Sequence, residues 1–360
     1  MHAPLSRLPA PDPKILHQEI LRFRQPKSAR SLFELAVTAA PFLCLWLLSW
    51  AAFSWGHPLI GLALTVPAGA FLLRLFLIQH DCGHGAFFRG RASNDWVGRI
   101  LGVLTFTPYD YWRRSHAIHH ASTGNLDARG VGDVDTLTVA EYRALGPAGR
   151  LRYRLYRHPI VLFGLGPAYL FLLRHRLPIG MMTKGWRPWL SAMGTNASIA
   201  ALAGALIWAM GLKLFLLVHL PIMLVAASLG VWFFYVQHQF EHTCWDKEGD
   251  WSFHAAALHG SSHYDLPLVL RWFSANIGVH HVHHLASRIP YYRLPEVLRE
   301  VPALAQCSRV TIGQSFRAVR LVLWDEEKRR LVSFAEARAK ASVKAPPLSG
   351  ARGTVALDLA

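Results

Sequence analysis

The chain predicts an all-α membrane protein: four transmembrane helices in two hairpins, with a histidine-rich cap on the cytoplasmic side. Three observations lead there. Four stretches of bilayer-crossing length are free or nearly free of charge, the net charge is +16 although 52% of the residues are hydrophobic, and the 20 histidines fall mostly into a few short groups. Average soluble domains do not combine these features, whereas apolar spans joined by Lys- and Arg-rich connections do.

A spanning helix needs about 20 apolar residues. The first candidate covers 35–54 without a charge, and the second covers 58–79. Arg74 lies near the end of the second, where a long side chain is expected to snorkel to the interface. The third and fourth cover 189–210 and 214–236. Only Trp55, Gly56 and His57 separate the first pair, and only Gly211, Leu212 and Lys213 the second. Each pair is therefore a hairpin, and both ends of the chain share a side with the long middle segment.

That side carries Arg22, Arg24, Lys27 and Arg30 before the first span, and Arg89, Arg91, Arg99, Arg113, Arg114, Arg150, Arg152, Arg154 and Arg157 between the hairpins. The positive-inside rule places it in the cytoplasm. The apolar stretches Trp96 to Thr107 and Pro159 to Leu173 are too short or interrupted to span, and read as interfacial helices. The expected organisation is a cytoplasmic N-terminal segment at 1–34, a main domain at 35–300, a cytoplasmic C-terminal region at 301–340 and a flexible tail at 341–360.

Several function classes fall away. Basic charge could serve nucleic acid by releasing counterions from phosphates, but here the arginines flank bilayer-length apolar stretches, so no nucleic-acid partner is expected. Cys44, Cys82, Cys244 and Cys307 are dispersed and offer no zinc ribbon, redox pair or disulfide framework. The segment up to Arg30 lacks the apolar core of a cleaved signal peptide. A non-catalytic membrane metal-binding protein or transporter remains the alternative of another class; it would want polar residues at mid-membrane depth, and apart from His219 the spans supply few. A zinc hydrolase would normally show HExxH, which is absent.

The histidine groups carry the chemistry. His80 and His84 stand in HDCGH at the end of the second span; His116, His119 and His120 in HAIHH; His238 and His242 in HQFEH just past the fourth span; and His280, His283 and His284 in HHVHH. Helix positions i, i+3 and i+4 share a face, so each group can aim two or three imidazoles at one point. Two groups follow directly from spans, which fixes their depth at the membrane surface. So many imidazoles exceed what one metal accepts, so two metals are implied. Imidazole suits Zn, Fe, Cu or Ni alike. Position favours an oxidant acting on a lipid chain, because unactivated C–H bonds are beyond protein acids and bases. His2, His17, His57, His158, His175 and His219 read as structural, while His254, His259 and His263 lie between two metal boxes, and His263 in SSHYDLP is a candidate support for a metal ligand.

These residues resemble the membrane fatty acid desaturase family, whose boxes read HxxxH, HxxHH and HxxHH. The stretches HDCGHGAFF, SHAIHHASTGNLD and NIGVHHVHHLASRIPYYRLPEVL are similar to acyl-lipid desaturases of the delta-12/omega-6 branch, particularly bacterial ones. The resemblance implies a bacterial inner-membrane enzyme with a cytoplasmic diiron cap. Two iron ions would use O2 and two electrons to place a cis double bond in a fatty-acyl lipid. A related hydroxylase, epoxygenase or carotenoid oxidase would use the same iron site. The ligands implied are His80, His84, His116, His119, His120, His280, His283 and His284. His242 is favoured as the further ligand, with His238 additional or water-mediated. His281 falls in a variable box position. No separate protein acid or base is expected. Asp81, Asp127, Glu241, His263 and Asp265 are candidates to orient the ligating rings. A cytochrome b5-like HPGG segment is missing, so electrons are expected from a separate donor such as ferredoxin, and Arg113 with Arg114 would suit an acidic one.

Overall fold

The computed structural model describes residues 13–130 and 132–339. The expected tail at 341–360 and the first residues of the N-terminal segment lie outside them.

Among the described residues, four helices are long and apolar enough to cross a membrane: Ser28–Ser54 (α1), Pro58–Gly83 (α2), Trp186–Met210 (α5) and Leu212–His238 (α6). Between the hairpins lie Arg91–Leu104 (α3) and Tyr109–Ser122 (α4). The four-span helical architecture read from sequence is therefore found, and each span is longer than its apolar stretch because the helix continues beyond the uncharged run. The second hairpin turns at Gly211, whose φ of 82° suits a residue without Cβ. Span α2 is central, packing against both α1 and α6. Its approach to α6 depends on Gly69, where a Cβ would fall 2.6 Å from Val225 Cγ1; small residues allow such contacts between helices in lipid. Span α5 is the least buried of the four.

Arg74 does not snorkel. Its side chain is 1% exposed and forms an ion pair with Glu34 of α1, which is also buried. Its guanidinium also donates to Thr38 Oγ1 (3.1 Å) and to the backbone carbonyl of Trp272, and lies 4.0 Å over the Trp272 ring. Glu34 Oε2 further accepts from Tyr291 Oη at 3.0 Å. A buried charge is retained only with such compensation, and this one ties two spans to the cap. His219 stacks on Phe215 and lies near Phe106, and its Nδ1 finds no hydrogen-bond partner among the described residues.

The cap is built from short helices and two strand pairs that the all-helical expectation did not include. His263–Asp265 (β1) pairs in parallel with Arg309–Thr311 (β2), and Leu323–Asp325 (β3) forms an antiparallel pair with Arg330–Val332 (β4). The region after 301 is thus woven into the cap, with Trp324 also bridging Thr138. Between β1 and the third histidine box runs the short helix Leu268–Phe273 (α7), and the box itself forms His280–Leu285 (α8).

Candidate metal centre

Two nests of imidazoles meet where the spans join the cap. One gathers His80, His84, His116, His120 and His283; the other gathers His119, His238, His280 and His284, and within each nest one ligand atom per residue lies within 4.8 Å of the rest. His80 and His238 are at the ends of α2 and α6, and the others come from α4, α8 and the residue after α2.

Helical geometry explains the sharing. His116 and His120 are one turn apart on α4 and serve the first nest, while His119 is rotated toward the second. On α8 the roles are exchanged: His280 and His284 serve the second nest and His283 the first. Each helix gives an i, i+4 pair to one nest and a single ring to the other, so the two nests are locked side by side.

The donor set fits metal ions. Nε2 of His120 lies 3.1 Å from Nε2 of both His116 and His283. Nε2 of His238 stands 3.2 Å from that of His119 and 3.1 Å from that of His280, which is 3.1 Å from that of His284. A ring nitrogen holds either one hydrogen or one lone pair, so His120 and His238 cannot make good hydrogen bonds to both neighbours. Lone pairs converging on a cation resolve the conflict: metal–nitrogen bonds of about 2.1 Å at right angles put adjacent nitrogens about 3 Å apart. Burial, then the charges of neighbouring rings, holds His84, His116, His120, His280, His283 and His284 well below the ordinary imidazole pKa. These rings are neutral at physiological pH, as metal binding requires.

The choice of His242 over His238 is reversed by the geometry. Helix α6 ends at His238, and Gln239 leaves it with φ −114° and ψ 79°. The i, i+4 rule fails once the helix stops, so His238 joins the nest while His242 is exposed on a separate cleft with Glu241, Arg309 and Arg317.

Of the carboxylates proposed to orient ligands, Asp81 is adjacent: Oδ1 faces His80 Nδ1 at 3.5 Å, and Oδ2 accepts from the Tyr291 amide at 2.7 Å. The others are elsewhere. Asp127 is exposed and accepts from the Glu248 amide, Glu241 is exposed, and Asp265 pairs with Arg309. His263 donates through Nδ1 to Ala305 O at 2.9 Å, and His281 through Nε2 to Leu304 O at 2.8 Å, so both anchor the following segment.

Sequence reasoning missed Asp133. Its Oδ1 accepts from His119 Nδ1 at 2.6 Å, which fixes the tautomer and leaves the Nε2 lone pair facing the nest. The turn-rich GVGDVD segment contains the carboxylate, but no spacing links it to His119.

The membrane side of both nests is aromatic. Phe76 lies one turn before His80 on α2 and packs against Trp112, which stacks on His116 at 4.6 Å and 14°. Phe234 lies one turn before His238 on α6, with its ring 5.1 Å from those of His119 and His238. Arg113 is committed to Asp95 and Asp110, leaving Arg114 as the exposed member of the pair suggested for donor docking.

Comparison with known proteins agrees with this geometry. A family model described as fatty acid desaturase matches residues 56–316. A Bacillus subtilis fatty acid desaturase is 42% identical over 321 residues, covering 89% of this chain and 90% of its own. A Synechocystis sn-1 acyl-lipid omega-3 desaturase (ferredoxin) is 27% identical over 263 residues, with 69% and 70% covered. A Synechocystis sn-1 oleoyl-lipid 12-desaturase is 30% identical over 227 residues, with 63% and 64% covered. Spans of bilayer length, histidine boxes gathered at their ends and a family match over most of the chain agree, and the protein belongs to the fatty acid desaturase family, as a membrane-bound oxidoreductase.

Proposed function

We propose that the two nests hold two iron ions and that the enzyme uses O2 to introduce a cis double bond at the delta-12 position of a fatty-acyl lipid. The carrying observation is the pair of adjacent imidazole nests, whose ring nitrogens are too close and too shared for hydrogen bonding alone. Bound iron supplies the one-electron and O2 chemistry that opening an unactivated C–H bond demands.

The chain's residues do the rest. His80, His84, His116, His120 and His283 hold one iron, and His119, His238, His280 and His284 the other. Asp133 keeps His119 in the ligating tautomer. Phe76, Trp112 and Phe234 line the approach from the bilayer, where an acyl chain is favoured and water is not. Electrons come from a ferredoxin-like donor, a reading supported by relatives whose names include ferredoxin. The basic connections support a site on the cytoplasmic face, and the similarity to bacterial desaturases supports the inner membrane as its location. The delta-12 position rests on the similar box stretches and on relatives named 12-desaturases.

Expression in a host that makes monounsaturated but no polyunsaturated lipids tests this. New dienes with the second bond at the delta-12 position are expected, together with two irons per purified chain. New monoenes would move the bond position, and oxygenated chains without new double bonds would overturn desaturation.

A further inference from the structure

The connection between β1 and the third box contains a feature that span counting does not reveal. On the inner side of α7, Phe71 of α2 meets Trp272 and Phe273 at ring distances of 5.9 and 5.1 Å, and Arg74 donates to the Trp272 carbonyl. Phe71 precedes His80 by nine residues in one unbroken helix, which is about 13 Å along the axis. If the hydrocarbon takes about 20 residues from Pro58, Phe71 sits roughly 10 Å inside it on the histidine side. The connection therefore climbs back along α2 to a depth that belongs to lipid.

Its outward side suits that depth. Leu268, Val269 and Leu270 are 73%, 65% and 47% exposed, without a charge among them. The one charged residue of α7, Arg271, is half-buried, unlike the three exposed apolar residues before it. The helix closes on itself at its inner end: the amides of Ser274, Ala275 and Asn276 donate to Leu270, Trp272 and Arg271 carbonyls at 2.9, 3.0 and 2.9 Å. Backbone at membrane depth needs such internal partners. The chain then reverses through Ala275 and Asn276, both left-handed at φ 47° and 53°, and descends to His280. Two consecutive non-glycine residues in that region persist only where the surroundings enforce them.

We propose that α7 is a re-entrant wedge sunk in the leaflet on the histidine side, with Leu268, Val269 and Leu270 packed against lipid acyl chains. The occupant of this face is hydrocarbon because the face is apolar and α7 packs on Phe71 and Arg74 of α2, at the depth of that span.

The test uses the full chain in vesicles of phosphatidylethanolamine and phosphatidylglycerol. The photoreactive residue p-benzoylphenylalanine replaces Val269 in one variant and Lys328, in the β3–β4 turn, in another. Irradiation is expected to leave a phospholipid adduct on the peptide containing 269 and none on that containing 328. Absence of lipid at 269, or a crosslink there to another protein, overturns the wedge. A second variant, Leu268→Cys, guards against local misfolding: a water-soluble maleimide should fail to label it in vesicles and succeed after detergent is added. Labelling as fast as at Lys328→Cys also overturns the proposal.

Discussion

His238 and His242 lie one turn apart in sequence, and the geometry assigns them opposite fates, so the pair tests the candidate centre directly. His238 is 5% exposed, and its Nε2 meets those of His119 and His280; His242 is exposed on the far side of the helix end. Structural sites with four ligands bind their metal with about 10–16 kcal/mol, or roughly 2.5–4 kcal/mol for each ligand. Removing one of the four imidazoles in the second nest should therefore weaken iron binding there by about 10²–10³-fold. The first nest, with five imidazoles of its own, keeps its metal. His238→Ala should fall from about two irons per chain to about one, measured by elemental analysis after chelator challenge, with no desaturated product. His242→Ala should retain both irons and its activity. The reverse pattern, with iron lost from His242→Ala and kept in His238→Ala, would refute the reasoning.

Asp133→Asn should weaken iron in the same nest by about 10- to 100-fold, because the carboxylate that fixes His119 is lost; Asp127→Asn, in an exposed carboxylate bonded to Glu248, should match wild type in the same titration. Arg74→Met strands Glu34 in the core and should cost about 3–5 kcal/mol in detergent melts. The double variant Glu34→Leu with Arg74→Met should recover much of that loss, and an undiminished single variant would contradict the buried pair. Burial first, then neighbouring positive charge, holds His175 and His281 at about 3. Below the unfolded value near 6.5, the unfolded chain therefore binds more protons than the folded one. Stability should fall as pH drops, by up to about 1.4 kcal/mol per pH unit for each ring. Melts of iron-stripped protein from about pH 7 to about pH 5 should show this, and a flat profile would argue against neutral buried rings.

The sequence alone determined the spans, the hairpins and the histidine boxes. Bilayer thickness and helical rise turn an uncharged run into a crossing, and i, i+4 spacing turns a box into a cluster; both are properties of short stretches. The same local rule misled at HQFEH, since nothing in those five letters says that α6 stops at His238. Only the tertiary structure decided which nest each ring serves, because that depends on how α4 and α8 face one another. It also decided that Asp133 returns to His119, that Arg74 finds Glu34 across the hairpin, and that Leu268–Phe273 climbs along α2. Each is a contact between distant segments, set by packing and by the need of buried charges and polar atoms for partners, which no single stretch of chain encodes.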